Sequence, residues 1–158
     1  MIEVEIAGVN ENSYHPLSDT ILSVDGEALE DIAPYKVVGI ADYAFKDNKY
    51  IREFHTLPTY YFKYVGKGAF EGCTNLRKFG SFRQKLTTIK ARAFYGCRSL
   101  NSFVLTGNKL KHIGKNAFTN SGSKIKLTAD SMDDKQVSKV KRMFKKAGAK
   151  KIHIKRIS

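Results

Sequence analysis

The chain reads AFEGCTNL at residues 69–76 and AFYGCRSL at residues 93–100, one step of 24 residues further on. The Ala-Phe pair that opens this phrase stands four times, at Ala44-Phe45, Ala69-Phe70, Ala93-Phe94 and Ala117-Phe118, with steps of 25, 24 and 24 residues. A fixed period of this length indicates one small structural unit stacked on copies of itself. It also makes an enzyme less expected, because solenoids work mostly by presenting a surface.

Apolar residues recur with each Phe, eight and five positions before it and six and nine positions after it. We expect them to point inward, because a unit of about 24 residues can bury its apolar face only against the next coil. Each coil then has room for two short extended segments, one before the Phe and one after it. The four sets are Val37, Phe62, Leu86 and Leu110; Ile40, Val65, Ile89 and Ile113; Ile51, Leu76 and Leu100, with Ile125 beside the pattern-breaking Lys124; and Phe54, Phe79, Phe103 and Leu127.

The second residue after each Phe has a shared conformational property. All three residue types found there tolerate a positive φ, so we expect a left-handed corner at this place in every coil. The Ala before each Phe predicts a narrow gap between coils, as close packing requires. The four corner positions are Asp47, Gly72, Gly96 and Asn120.

With these residues in view, the repeat resembles the BspA-like, or Treponema-type, leucine-rich repeat. The resemblance covers residues 35–127, and the first and fourth copies depart from it with Asp47-Asn48 and Asn120-Ser121 in place of the Gly-Cys pair. It implies an α/β-type repeat solenoid, a right-handed leucine-rich repeat with short parallel strands and about four coils. It also implies a non-enzymatic class of bacterial cell-surface or secreted adhesion proteins that bind protein partners.

Residues 1–34 do not carry the repeat. The strict alternation of residues 2–6 predicts a half-buried strand, and residues 20–24 before Asp25-Gly26 predict a second strand that ends in a turn. We expect this segment to be an N-terminal cap, which a solenoid needs to cover its first coil. A small separate strand module is the alternative.

Residues 128–158 replace a fifth coil with a predicted helix and strand. Ser131 followed by Asp134 predicts a capping box at the start of the helix. Gly148 is a natural stop at its end, and the alternation around Ile152 and Ile154 predicts a final edge strand. The apolar helix face comprises Val137, Val140, Phe144 and Ala147.

The net charge of +13 is divided unevenly, because residues 1–34 hold eight acids and no Lys or Arg. Such asymmetry suggests interaction with polyanions, or an acidic end of the chain that meets a basic neighbour. One basic cluster lies opposite the apolar face of the predicted helix and continues beyond it. It predicts binding of a sulfated glycan or nucleic acid, or else a solvated face that keeps the protein soluble. The basic cluster comprises Lys135, Lys139, Arg142, Lys146, Lys150 and Lys151.

A second candidate surface is the outward side of the extended segments that follow each Phe, here called the strand face. If Leu100, Phe103 and Leu105 point inward, alternate residues point outward. The resemblance implies that this face docks a protein partner. Its predicted members are Glu53, His55, Lys78, Ser102 and Val104. Nearby, Phe62 belongs to the core by its phase. Tyr60, Tyr61 and Tyr64 either are exposed, as at an interface, or pack in the core or at the coil edge.

The remaining residues give no catalytic set, metal site or cofactor motif, and no small-molecule substrate is implied. The four histidines are isolated, without the spacing of metal ligands. Cys73 and Cys97 share one phase in adjacent coils, about 4.8 Å apart by strand spacing. A disulfide needs Cβ atoms about 3.8 Å apart, so we expect two buried thiols, with a disulfide as the alternative.

The sequence contains no apolar run long enough to cross a membrane and shows no signal peptide. A surface or secreted location follows from the resemblance alone. We therefore expect either that a signal was removed or that the protein stays inside the cell. A structural spacer without a specific ligand is the remaining functional alternative.

Overall fold

The computed structural model describes residues 2–6, 20–21, 23–24, 27–28, 35–55, 62–80, 85–106 and 109–157. In chain order the elements are β1 (Ile2–Ile6), β2 (Thr20–Ile21), β3 (Ser23–Val24), β4 (Glu27–Ala28), β5 (Tyr35–Ile40), β6 (Glu53–Phe54), β7 (Tyr64–Val65), β8 (Lys78–Phe79), β9 (Thr88–Ile89), β10 (Ser102–Thr106), β11 (His112–Ile113), β12 (Ile125–Asp130), α1 (Asp134–Lys146) and β13 (Ile152–Ile157).

Two parallel sheets run along the stack. One has the strand order β1-β5-β7-β9-β11, and the other has the order β13-β12-β10-β8-β6-β2. Each coil therefore gives one short strand to each sheet, as the two extended segments per repeat predicted. The α/β-type repeat solenoid with short parallel strands is confirmed, and it ends in a helix and a strand.

The N-terminal segment continues both sheets. β1 pairs in parallel with β5, and β2 pairs in parallel with β6, while β3 and β4 form an antiparallel pair. The strand expected at residues 2–6 is therefore present. The division into residues 1–34, 35–127 and 128–158 stays a prediction, and the side chain of Val37 lies outside what the structure describes.

Two columns of phenylalanine rings fill the core. In the first column, neighbouring rings from successive coils stack nearly parallel, with centroids 5.2–5.3 Å apart and interplanar angles of 7–10°. Rings of the second column meet the first edge-on, at 4.9–5.6 Å. All these rings are at most 2% exposed. The first column is Phe45, Phe70, Phe94 and Phe118, and the second is Phe54, Phe79 and Phe103.

The left-handed corners are confirmed at all four predicted positions, with φ of 59° at Asp47, 74° at Gly72, 73° at Gly96 and 55° at Asn120. Near each corner the Phe N–H donates to the carbonyl of the Ala in the next coil, at 2.8 Å in the first three coils. A second left-handed residue stands four positions earlier in each coil, where the residue type varies too much for the sequence to mark it. These residues are Tyr43, Gly68, Arg92 and Asn116, with φ of 57–59°.

Helix α1 closes the C-terminal end of the stack by imitating a further coil. The Phe118 N–H donates to the Ala147 carbonyl at 2.9 Å, where another coil would offer its Ala. The Phe144 ring stacks on Phe118 with centroids 4.4 Å apart. The apolar helix face and the final strand β13, parallel to β12, are thus present as expected.

The helix has its N-cap two residues later in the chain than the predicted capping box placed it. Asp133, not Ser131, is the N-cap, and it exchanges hydrogen bonds with Gln136 at 2.8 and 2.9 Å. Ser131 has a φ of 56°, which is incompatible with the extended backbone of an N-cap residue. At the other end, Gly148 takes a φ of 100° as the predicted stop.

The two cysteines are buried free thiols. Each Sγ donates to a Phe carbonyl of the preceding coil, Cys73 to Phe45 at 2.9 Å and Cys97 to Phe70 at 3.0 Å. Burial raises the pKa of Cys73 from its ordinary 9.0 to about 12 and raises that of Cys97 as well. These thiols therefore act as small core residues that also join coils.

We predict that Phe94→Ala lowers the free energy of unfolding by about 3–5 kcal/mol, as for other fully buried aromatics. The ring contacts both columns, so its loss opens a cavity that neighbouring coils cannot fill. Urea unfolding followed by circular dichroism measures the change, with exposed Lys111→Ala as the control. A Phe94→Ala loss as small as the control's would contradict the inward assignment.

We also predict slow labelling of both thiols in the folded protein. At about pH 8, an aromatic disulfide reagent should react more than about a hundredfold slower than in denaturant, because the thiolate is the reactive form and burial suppresses it. Absorbance of the released thiolate follows the reaction. Rapid labelling of two thiols per chain without denaturant would show that the coils open around Cys73 and Cys97.

Candidate functional site

The strand face is the outer surface of β6, β8, β10, β12 and β13. Strand pairing aligns its outward residues in rows that cross the strands. One row is Glu53, Lys78, Ser102, Lys126 and His153, and the next contains Val104, Thr128 and Lys155. Between the rows lies a shallow depression of about 250 Å³. Its lining comprises His55, Lys78, Gly80, Ser102, Val104, Lys126, Thr128, Lys155 and Ile157.

Four of the five predicted strand-face residues line this depression: His55, Lys78, Ser102 and Val104. Glu53 stands beside it, with its carboxylate 2.9 Å from the His55 Nε2. Val104 is only 5% exposed, so it forms the floor of the depression and does not project from the surface.

Four residues of the depression were not predicted on the strand face from the sequence: Lys126, Thr128, Lys155 and Ile157. A further step of 24 residues from Ser102 and Val104 leads to the first two, so the repeat period was sufficient to find them. Lys155 comes from β13, which lies beyond the α1 interruption, and only strand pairing places it opposite Thr128.

The hydroxyl groups of the depression are available for binding. Thr128 is 8% exposed, yet within the described ranges its hydroxyl makes no hydrogen bond. The half-buried Ser102 hydroxyl likewise has no partner among the described residues. Buried polar groups nearly always find a partner, so an unsatisfied hydroxyl here is a feature that requires an explanation.

The charge of the strand face is positive where β12 and β13 lie. Lys126 and Lys155 are exposed, and neither pairs with a carboxylate among the described residues. Acids stand at the margins. Glu53 contacts His55, and the Asp130 carboxylate accepts a hydrogen bond from the Ser131 hydroxyl at 3.0 Å.

The basic cluster forms a different surface. All six of its side chains are exposed, none lines the depression, and none has an ion-pair partner in the described part of the chain. Arg156, nearby on β13, is instead bound to Asp134 at the start of α1. The structure thus leaves the basic cluster open to solvent, as a solubility device or a ligand surface would require.

A third charged group, at the turn edge, is neutralised internally. The Arg92 guanidinium donates to both carboxylate oxygens of Glu71 at 2.8 and 3.0 Å and lies over the Tyr95 ring at 3.8 Å. Hydrogen bonding from Arg92 lowers the pKa of Glu71, outweighing the effect of burial. This arrangement joins neighbouring coils through an ion pair.

The aromatic residues at positions 60–64 are described only in part. Phe62 is 2% exposed and belongs to the core, and the half-buried Tyr64 ring lies under the Lys90 ammonium, 5.3 Å from its centroid. Tyr60 and Tyr61 lie outside the described residues.

No group of three or more His, Cys, Asp or Glu side chains within the described ranges is placed to hold a metal ion. Nor do these ranges contain a helix with the length and apolarity that a bilayer crossing requires.

A sequence model for the "BspA type Leucine rich repeat region" matches residues 28–155 in six copies. The chain belongs to this family. The match extends beyond residues 35–127 at both ends, and it includes β12 and the first part of β13, up to Lys155. Leucine-rich repeat proteins of this kind are interaction modules, so the family indicates a protein-interaction role.

Solved structures of other proteins resemble the chain. A leucine-rich repeat protein from Bacteroides ovatus ATCC 8483 is 25% identical, with a TM-score of 0.57 over 78% of this chain and 29% of that one. The pneumococcal vaccine antigen PcpA is 15% identical, with a TM-score of 0.48 over 77% of this chain and 40% of that one. A T. pallidum leucine-rich repeat protein is 18% identical, with a TM-score of 0.36 over 77% and 83%.

The chain therefore spans well under two thirds of the Bacteroides protein and of PcpA. The Bacteroides structure supports the fold. No curated protein sequence matches the chain at a significant level.

We predict that Glu71→Gln destabilises the protein at neutral pH and that its difference from wild type disappears in acid. Because the folded-state pKa of Glu71 is depressed, its ion pair with Arg92 stabilises the folded state at pH values above the ordinary Glu pKa of 4.5. This stabilisation is lost as the pH falls through the folded-state pKa. Urea midpoints between about pH 7 and pH 3 measure the convergence. Asp134→Asn, at an exposed ion pair, is the control, and a constant Glu71→Gln difference across this range would refute the assignment.

Proposed function

We propose that this chain is a non-enzymatic binding module that holds a protein partner on its strand face. The observation that supports it best is the depression, which gathers residues from several successive strands into one surface. A site assembled in this way is rigid, because each contributing strand is hydrogen-bonded to its neighbours. Rigidity reduces the entropic cost of binding.

The module is proposed to act at the cell surface or in secreted form, as a bacterial adhesion or interaction protein. The support for this location is the repeat type, which resembles that of surface proteins. The partner would then be a protein of a host or of a neighbouring cell.

The alternative is polyanion binding through the basic cluster. Its specific support is that all six cations are exposed and lack ion-pair partners in the described part of the chain. A polyanion bound there would release counterions, so its affinity would fall steeply with salt concentration.

Two matched substitutions test these proposals, because Ser102 lies on the strand face and the exposed Ser138 lies within the basic cluster. We predict that Ser102→Trp reduces capture of partner proteins from a host-cell surface extract at least tenfold, since the added ring fills the depression. Ser138→Trp should leave this capture unchanged. Quantitative mass spectrometry of the captured proteins measures both.

Heparin chromatography tests the alternative with a variant that changes Lys139, Arg142 and Lys146 of the basic cluster to Glu. Retention that is lost in this variant, together with protein capture that Ser102→Trp does not affect, would overturn the strand-face proposal and favour a polyanion ligand.

A further inference from the structure

The Thr128 hydroxyl is the most informative polar group on the strand face. Its residue is 92% buried, by the 8% exposure given above, and it lines the depression on the outward side of β12. No described residue donates a hydrogen bond to this hydroxyl or accepts one from it. Leaving a buried hydroxyl unpaired is costly, so the site is suited to a ligand that pairs with it.

Three side chains around Thr128 can also donate hydrogen bonds to a ligand. Ser102 stands diagonally across on β10, and Lys155 stands directly opposite on β13. Lys126, two residues before Thr128, points to the same side of the sheet. Two ammonium groups and two hydroxyls that converge on one depression can coordinate the oxygens of an anion.

The distribution of acids limits where that anion lies. Glu53 borders the far side of the depression, next to Lys78 in the strand register, and Asp130 follows Thr128 along β12. Neither carboxylate lies within 4 Å of Lys126 or Lys155. An anion is therefore favoured between these two lysines and disfavoured at the margins.

We infer that the depression at Thr128 binds carboxylates of an extended acidic segment in the partner protein. Alternate side chains of an extended segment point the same way at a spacing of about 6.6–6.8 Å. Diagonal neighbours in a sheet, such as Lys126 and Lys155, are about 7–8 Å apart. Two carboxylates at alternate positions therefore match the two lysines, while Thr128 and Ser102 donate to the same oxygens.

A protein segment fits this site better than a long polyanion does. The depression holds only about 250 Å³, and the flanking carboxylates of Glu53 and Asp130 would oppose a continuous row of negative charge. The inference rests on the proposed function, because it names the partner chemistry of the same strand face.

Fluorescence anisotropy with a labelled ten-residue peptide tests the inference. The peptide carries Glu at two central positions separated by one Ser, with Ser at its other positions, and its matched counterpart carries Gln in place of both Glu residues. We expect the Glu peptide to bind the full chain at least tenfold more tightly than the Gln peptide. Lys126→Gln and the isosteric Thr128→Val should each weaken Glu-peptide binding about threefold to tenfold, as the loss of one hydrogen bond implies.

The matched control is Lys139→Gln in the basic cluster, which should change peptide affinity less than about twofold because Lys139 lies outside the lining of the depression. Thr128→Val should also leave the melting temperature unchanged or raised, since it removes an unpaired buried hydroxyl. A lowered melting temperature would show that the hydroxyl already serves the fold, and it would overturn the inference.

Equal binding of the Glu and Gln peptides would also overturn it, as would equal losses from Lys126→Gln and Lys139→Gln. So would a heparin oligosaccharide that binds through Lys126 while the Glu peptide does not. If Ser102→Trp abolishes protein capture while Thr128→Val and Lys126→Gln leave it intact, the proposed function stands and the acidic segment alone is refuted.

Discussion

The fixed spacing between coils is the constraint on which the rest of this molecule depends. It is set by the backbone, because each Phe N–H reaches the Ala carbonyl of the next coil at 2.8 Å in the first three coils. The aromatic column respects the same spacing, with ring centroids 5.2–5.3 Å apart. The same spacing between coils thus satisfies both the backbone hydrogen bonds and the packing of the rings. Such consistency between local and tertiary interactions is what makes a sequence specify a single fold.

The repeat made the interior predictable from the sequence. Each inward position occurs in four copies of the repeat. A single exception therefore does not obscure the pattern, as with Lys124, which is exposed beside the buried Ile125. The corners were predictable for a similar reason, because Asp, Gly and Asn share a tolerance for positive φ. The second corner was not predictable, since Tyr43 and Arg92 show no such preference and are held there by their surroundings.

The ends of the stack and its outer face were harder to predict from the sequence. The capping box was misplaced because the left-handed turn at Ser131 is a property of the backbone, and only one copy of this segment exists to compare. On the strand face, spacing leads to Lys126 and Thr128, but Lys155 follows an interruption by α1. The Thr128 hydroxyl has no hydrogen-bond partner in the described part of the chain, and this is a property of the three-dimensional arrangement that no residue pattern reveals.

The position of the depression within the stack has a consequence for how such a protein changes its length. The depression draws mainly on β10, β12 and β13, at the end that α1 closes, whereas β6 touches only its margin. Duplicating or deleting a whole repeat unit of 24 or 25 residues near β6 would preserve the alternation of every strand. The length of the stack and the composition of the depression can therefore change independently of each other in this architecture.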